Sequence, residues 1–160
     1  MNHLETALKG LGVALNNKGY TIATAEQCTC GLIGASIASD SATKSFLKGS
    51  ATAYSEDAIK KCFEVPEHTI ERNGLISTHV AMHMALTTLY KFSVNISISV
   101  VGLIDKEHTD VQVCVAKMTG KEVKFDYSAI KENVASSKSD NIEYVICKAI
   151  MSSIKHIMED

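Results

Sequence analysis

The chain has 160 residues, 46% of them hydrophobic and 21% charged, with a formal net charge of −2. A chain of this length can bury roughly 70% of its unfolded surface in one core without staples. The near-neutral balance offers no basic footprint for nucleic acid or an anionic membrane, and no apolar run approaches the ~20 residues of a bilayer span. The opening "MNHLETALKG" lacks a basic and then apolar leader, and five cysteines make an odd count. Reduced thiols in a cytoplasmic protein are therefore expected.

Taken in chain order, Leu4, Leu8, Leu11 and Leu15 recur at helical spacing, and the helix should stop at Gly19. "YTIATA" reads as a short buried strand. A second helix is expected from Thr29 through "CGLIGASIAS", and Gly49 to Tyr54 reads as another strand. Ser55, followed by Glu56 and Asp57, is a good helix start. Pro66 and Gly74 bracket a short helix, and Ser77 caps a longer one with Val80, Ala81, Met84, Ala85 and Leu89 as its apolar stripe.

The second half changes period. "VNISISVVGL" alternates and is β-branched, so it reads as a strand. "DVQVCVAKM" is a second, and Thr119-Gly120-Lys121 turns it into a third, "EVKFDY". Residues 128–139 read as a polar loop or loose helix, and "NIEYVICKAIMSSIKHIM" as a terminal helix. Early alternation of helices and strands followed by a late hairpin predicts an α/β fold. Its form is a three-layer α/β/α sandwich with a mixed β-sheet, spanning residues 1–160 as a single domain.

The stretch "TAEQCTCGLIG", residues 24–34, concentrates the chemistry. Cys28-Thr29-Cys30 is half a zinc site with no second pair at metal spacing, so no metal is expected there. His79 and His83 stand at i, i+4 on a helix, but Val80 occupies the place of a catalytic glutamate. A thiol at a helix start can be activated by the helix dipole, although no histidine is placed in sequence to assist one. Strand, tight turn and helix start form a better reading, with backbone N–H groups of residues 26–31 (Glu26, Gln27, Cys28, Thr29, Cys30, Gly31) available to an anionic or carboxamide-like group. A well-packed turn without a ligand accounts for the same residues equally well. Cys62, Cys114 and Cys147 fall in core patterns, and the lysines and glutamates of residues 117–138 read as a solvated face.

"TAEQCTCGLIGASIAS" resembles the signature of the C-terminal domain of the competence/damage-inducible protein CinA, whose pattern runs Thr-Ala-Glu-Ser-Cys-Thr-Gly-Gly. The resemblance continues through Gly49, Tyr54-Ser55, "VPEHTIERNGLIS" and "VAMHMA" in the same order. It implies an α/β/α sandwich, commonly a homodimer, without a cofactor. It also implies deamidation of nicotinamide mononucleotide to nicotinate mononucleotide by a serine hydroxyl activated by a lysine, with a nearby tyrosine and a phosphate-reading arginine.

Several of those positions are substituted. The signature serine is Gln27, and the glycine after the threonine is Cys30. The nucleophilic serine aligns with Thr43, Tyr54 is kept, and the lysine position is Ile59, with Lys60 and Lys61 nearest. The family's Gly-Ile-Ala-Gly-Pro loop is reduced to "VVGLIDKEH", and the Gly-Asp-Arg triplet has Asp140-Asn141 as its nearest counterpart, without arginine. Loss of either member of a nucleophile/base pair costs on the order of 10³ to 10⁶ in turnover. Two expectations follow: a divergent amidohydrolase using Thr43, Tyr54 and Lys60, or a catalytically silent domain that binds a small nucleotide or a protein partner.

Overall fold

The computed structural model describes residues 2–131 and 137–159. Helix α1 (His3–Lys18) starts under the Asn2 side chain, which accepts from the Glu5 N–H, and ends on Gly19 at φ +70°. β1 (Ile22–Glu26) is buried at every residue. α2 (Leu32–Ser39) begins three residues later than expected, because Cys30 and Gly31 take left-handed backbone angles and form the turn. Residues 44–46 make one 3-10 turn before β2 (Leu47–Thr52). Ser55 caps α3 (Glu56–Phe63), and α4 (Glu67–Asn73) follows Pro66 and closes on Gly74. Ser77 caps α5 (Thr78–Lys91).

β3 (Ile96–Ile104), β4 (Thr109–Thr119) and β5 (Glu122–Ile130) follow, and then α6 (Lys138–Met158). Residues 128–130 thus belong to β5 instead of a loop, and 132–136 of the expected loop lie outside the described residues. The five strands run in the order β2-β1-β3-β4-β5. β1 pairs parallel with both β2 and β3, while β3–β4 and β4–β5 are antiparallel, so the sheet is mixed as expected.

Each face of the sheet carries its own core. Ile22, Ile96, Ile98, Val100, Val111, Val113 and Val115 pack against α1, α2 and α6. Ala23, Ala25, Val101, Cys114 and Ala116 pack against α3, α4 and α5. The period of two along β3 explains the split, since successive side chains leave on opposite faces. The serines of "NISIS" serve the second face: Ser97 Oγ donates to the Ala85 carbonyl and Ser99 Oγ to that of Ala81, each at 2.6 Å. These short hydroxyls tie α5 to the sheet at two carbonyls one helical turn apart.

One residue overturns the expectation of a solvated face over 117–138. Lys117 continues the Val111, Val113, Val115 series into the α6 side and is buried. Its Nζ donates to the carbonyls of His156 (2.8 Å) and Glu159 (2.5 Å) at the end of α6. His156 is buried beside it, with Nε2 3.0 Å from the Lys124 carbonyl and Nδ1 3.3 Å from Glu159.

Candidate functional site

The carboxyl ends of β1 and β2 meet at Glu26 and Thr52, and Glu26 pairs on its other side with Val100 in the middle of β3. In an open α/β sheet, ligands are received beyond such strand ends. The turn from β1 to α2 is built here around one side chain. Glu26 is fully buried, and its carboxylate accepts from the Ile33 N–H (2.8 Å), the Gly34 N–H (2.9 Å) and the Thr29 hydroxyl (2.6 Å). The hydroxyls of Thr24 and Ser50 stand 3.0 and 3.2 Å from Oε2 and 2.6 Å from one another. A carboxylate offers about four lone-pair sites, so these groups saturate it.

The expected cradle is thereby changed in substance. The first N–H groups of α2 point at an anion, as helix starts do, but the anion is the chain's own Glu26. The Leu32 N–H is turned back to the Thr29 carbonyl. Gly34 makes the arrangement possible, since a Cβ there would lie 2.6 Å from that of Ser50. Ser50 and Gly34 were not singled out in the sequence. A small residue facing a hydroxyl across a helix–strand contact leaves no periodic signature, so only their shared acceptor reveals them.

Gln27, in the place of the signature serine, ties the ends of β1 and β2 to the interior of β3. Its Oε1 accepts from the Gly102 N–H at 2.9 Å, its Nε2 reaches the Tyr54 carbonyl at 3.4 Å, and its own N–H donates to Val100. Cys28 is partly buried; burial pushes its thiol up to about 12, the Glu26 carboxylate adding in the same direction. Such a thiol stays protonated and is a poor nucleophile. Cys30 and Gly31 lie outward, Cys30 exposed at φ +49° and Gly31 half-buried at φ +88°. Tyr54 is 63% exposed beside them in the chain's layout, two residues past β2.

Thr43 lies elsewhere. It precedes β2, whereas Tyr54 follows it, and a six-residue strand spans roughly 20 Å. Its side chain is fully buried, and its hydroxyl donates to the Ile37 carbonyl at 2.8 Å. Lys60 is on α3, beyond the carboxyl end of β2, with Nζ 3.5 Å from Asp57 and 3.7 Å from Glu67. Desolvation opposes its charge, but the bond to Asp57 and the carboxylates of Glu67, Asp57 and Glu56 together outweigh it and hold its ammonium above the ordinary lysine value. Within one chain the fold therefore gathers Glu26, Gln27, Cys28, Thr29, Cys30, Gly31 and Tyr54 at one end and leaves Thr43 at the other. Ile59, which holds the lysine position, is buried in the core.

Two surface cavities lie away from the strand ends. One of about 530 Å³ runs between α1 and α6, with His3, Glu143, Cys147 and Lys148 among its lining. Cys147 is thus on a surface groove and not in the core as expected. Another, of about 570 Å³, is lined by Lys9, Val13, Asn16, Ser45 and Phe46, close in sequence to Thr43. Among the described residues no group of three metal-ligating side chains is assembled, and no helix is long and apolar enough to cross a membrane.

The family model described as the CinA C-terminal domain matches residues 4–156. A CinA-like protein of Flavobacterium psychrophilum is 31% identical over 157 residues, which are 93% of this chain and 38% of that protein. A putative competence-damage inducible protein of Halothermothrix orenii is 36% identical over 104 residues, 64% of this chain and 25% of its own length. The chain thus spans well under half the length of these relatives. Among solved structures, a CinA superfamily protein from Klebsiella pneumoniae superposes with a TM-score of 0.84 at 16% identity, covering 98% of both chains. The competence/damage inducible protein CihA from Agrobacterium tumefaciens gives 0.83 at 18% identity, over 99% of this chain and 98% of that one.

Proposed function

Since the chain belongs to the CinA C-terminal domain family, we propose that it is a divergent relative of that family's nicotinamide mononucleotide deamidases, a cytoplasmic homodimer that receives a small nucleotide at the strand ends and whose amide-cleaving step is weak, altered or lost. The observation that carries this reading is the separation of Thr43 from Tyr54 and Lys60 by the length of β2, with the Thr43 hydroxyl committed to a main-chain carbonyl. A hydroxyl attacks an amide only when a base within hydrogen-bond reach takes its proton. Lys60, held protonated between carboxylates, does not serve as that base.

Binding survives on different grounds. Tyr54 presents a ring to solvent, and aromatic faces stack well on heterocyclic bases. The α2 start adds no pull on a phosphate, because Glu26 already neutralises it.

Ammonia release and thermal unfolding with nicotinamide mononucleotide test the reading together. The expected outcome is little or no ammonia, with stabilisation of about 2.7 kcal/mol at a hundredfold excess over Kd and loss of that stabilisation in Tyr54→Ala. Rapid turnover that Thr43→Ala abolishes would overturn it. A sedimentation experiment reporting a monomer would remove the homodimer from the reading.

A further inference from the structure

We propose that β5 pairs antiparallel with β5 of a second copy of this chain, joining the two five-stranded sheets into one across a two-fold axis. The pairing rests on the homodimer proposed above and assigns it a surface. β5 is the last strand of the sheet, next to β4. The Met118 N–H donates to the Asn95 carbonyl at 2.9 Å, so even-numbered residues of β4 exchange backbone bonds with β3 and odd-numbered ones with β5. Lys117 stands opposite Lys124, and Val115 opposite Asp126. The even residues of β5 therefore turn their N–H and C=O groups to β4. Those of Val123, Phe125, Tyr127 and Ala129 point away from the sheet, and such an edge is a template for a further strand.

The charges on β5 choose the partner and the register. Within its own chain Lys124 faces another lysine across the ladder, and Asp126 faces a valine. Neither neighbour on β4 supplies the opposite charge. In a two-fold pairing the same patch meets itself, and outward groups meet only when odd residues face odd. An axis through Lys124 sets that lysine against its own copy and Glu122 against Asp126. An axis through Asp126 sets two carboxylates together. An axis through Phe125 sets each Lys124 opposite the partner's Asp126, so both charges are matched twice.

The same register serves the other face. Phe125 is half-buried against the α5 side, and its ring stacks on exposed Tyr127 with centroids 6.1 Å apart. Phe125 then meets the partner's Phe125, and Val123 meets the partner's Tyr127, as apolar cross-strand pairs. The opposite edge of the sheet, β2, offers no such match: it is six residues long, and its one charge is Lys48.

Sedimentation velocity of the full chain over a micromolar range of concentration tests the pairing. A nine-residue strand pair makes a small interface, so the dimer should dissociate on dilution. Lys124→Glu and Asp126→Lys should each raise the dissociation constant about tenfold or more, and the double variant Lys124→Glu/Asp126→Lys should restore it. Unchanged circular dichroism separates lost pairing from lost folding. In the unaltered chain, hydrogen exchange read by NMR should show the amides of Val123, Phe125 and Tyr127 losing protection on dilution while those of Lys124 and Asp126 keep it. Exchange at the odd amides that ignores concentration overturns the pairing, even where a variant fails to fold. A dimer that neither single reversal weakens, or that the double reversal does not restore, also overturns it and leaves the homodimer to another surface. A chain that is monomeric throughout removes both.

Discussion

Two buried charges at opposite signs of a helix show how this fold uses its helix ends. Glu26 sits inside the amino-terminal turn of α2, taking two main-chain N–H groups and a threonine hydroxyl. Lys117 sits inside the carboxyl-terminal turn of α6, giving protons to two main-chain carbonyls. Each ion meets the helix pole of opposite sign, where orphan backbone groups carry about half a charge. The difference between them lies in saturation and in what depends on it. Glu26 organises the turn that follows β1. Lys117 ties the end of α6 to β4. A helix start in this position is commonly an anion site; here it is already full.

The comparison is sharpest under substitution. Glu26→Ala leaves two N–H groups and the Thr29 hydroxyl buried without an acceptor, and should cost about 3–4 kcal/mol in chemical denaturation. Lys117→Met keeps the length of the side chain and strands two carbonyls, which have a second lone pair and partial access at Glu159. A loss of about 2 kcal/mol is expected, a drop of roughly 4–8 °C in the unfolding midpoint. If Lys117→Met were the more damaging, the contrast in saturation would be wrong.

Thr43→Ala removes one hydroxyl-to-carbonyl bond and should cost about 1 kcal/mol, without changing any residual ammonia release. The smallest effect concerns the thiols. At neutral pH iodoacetamide should label exposed Cys30 while Cys28 and Cys114, each pushed up to about 12 by burial, stay unmodified. Mass spectrometry of the alkylated peptides checks this, and labelling of Cys28 ahead of Cys30 would contradict the buried turn.

Most elements were legible because their signals are local. Ser55 and Ser77 cap α3 and α5 through their own hydroxyls, and Gly19 ends α1 in the left-handed angle that glycine tolerates. The signature around Glu26 is contiguous in sequence and marks the end of β1. The start of α2 lies three residues past the expected Thr29 because Cys30, a non-glycine, takes a left-handed angle beside Gly31, and the Glu26 carboxylate holds the Ile33 and Gly34 N–H groups. Thr43 and Tyr54 stand eleven positions apart and look like neighbours on paper. A parallel strand between them carries the chain from one end of the sheet to the other.

By itself the amino-acid sequence determined the order of helices and strands, the mixed sheet and the family signature, since periodicity and caps act over a few residues. Only the tertiary structure decided that the α2 start is occupied from within, that Lys117 lies inside, and that Thr43 lies at the opposite end of β2 from Tyr54. Those outcomes depend on which distant groups come within 3 Å of one another. Pairings such as Gly34 with Ser50, or β4 with the end of α6, are fixed by packing between elements, which no local pattern encodes.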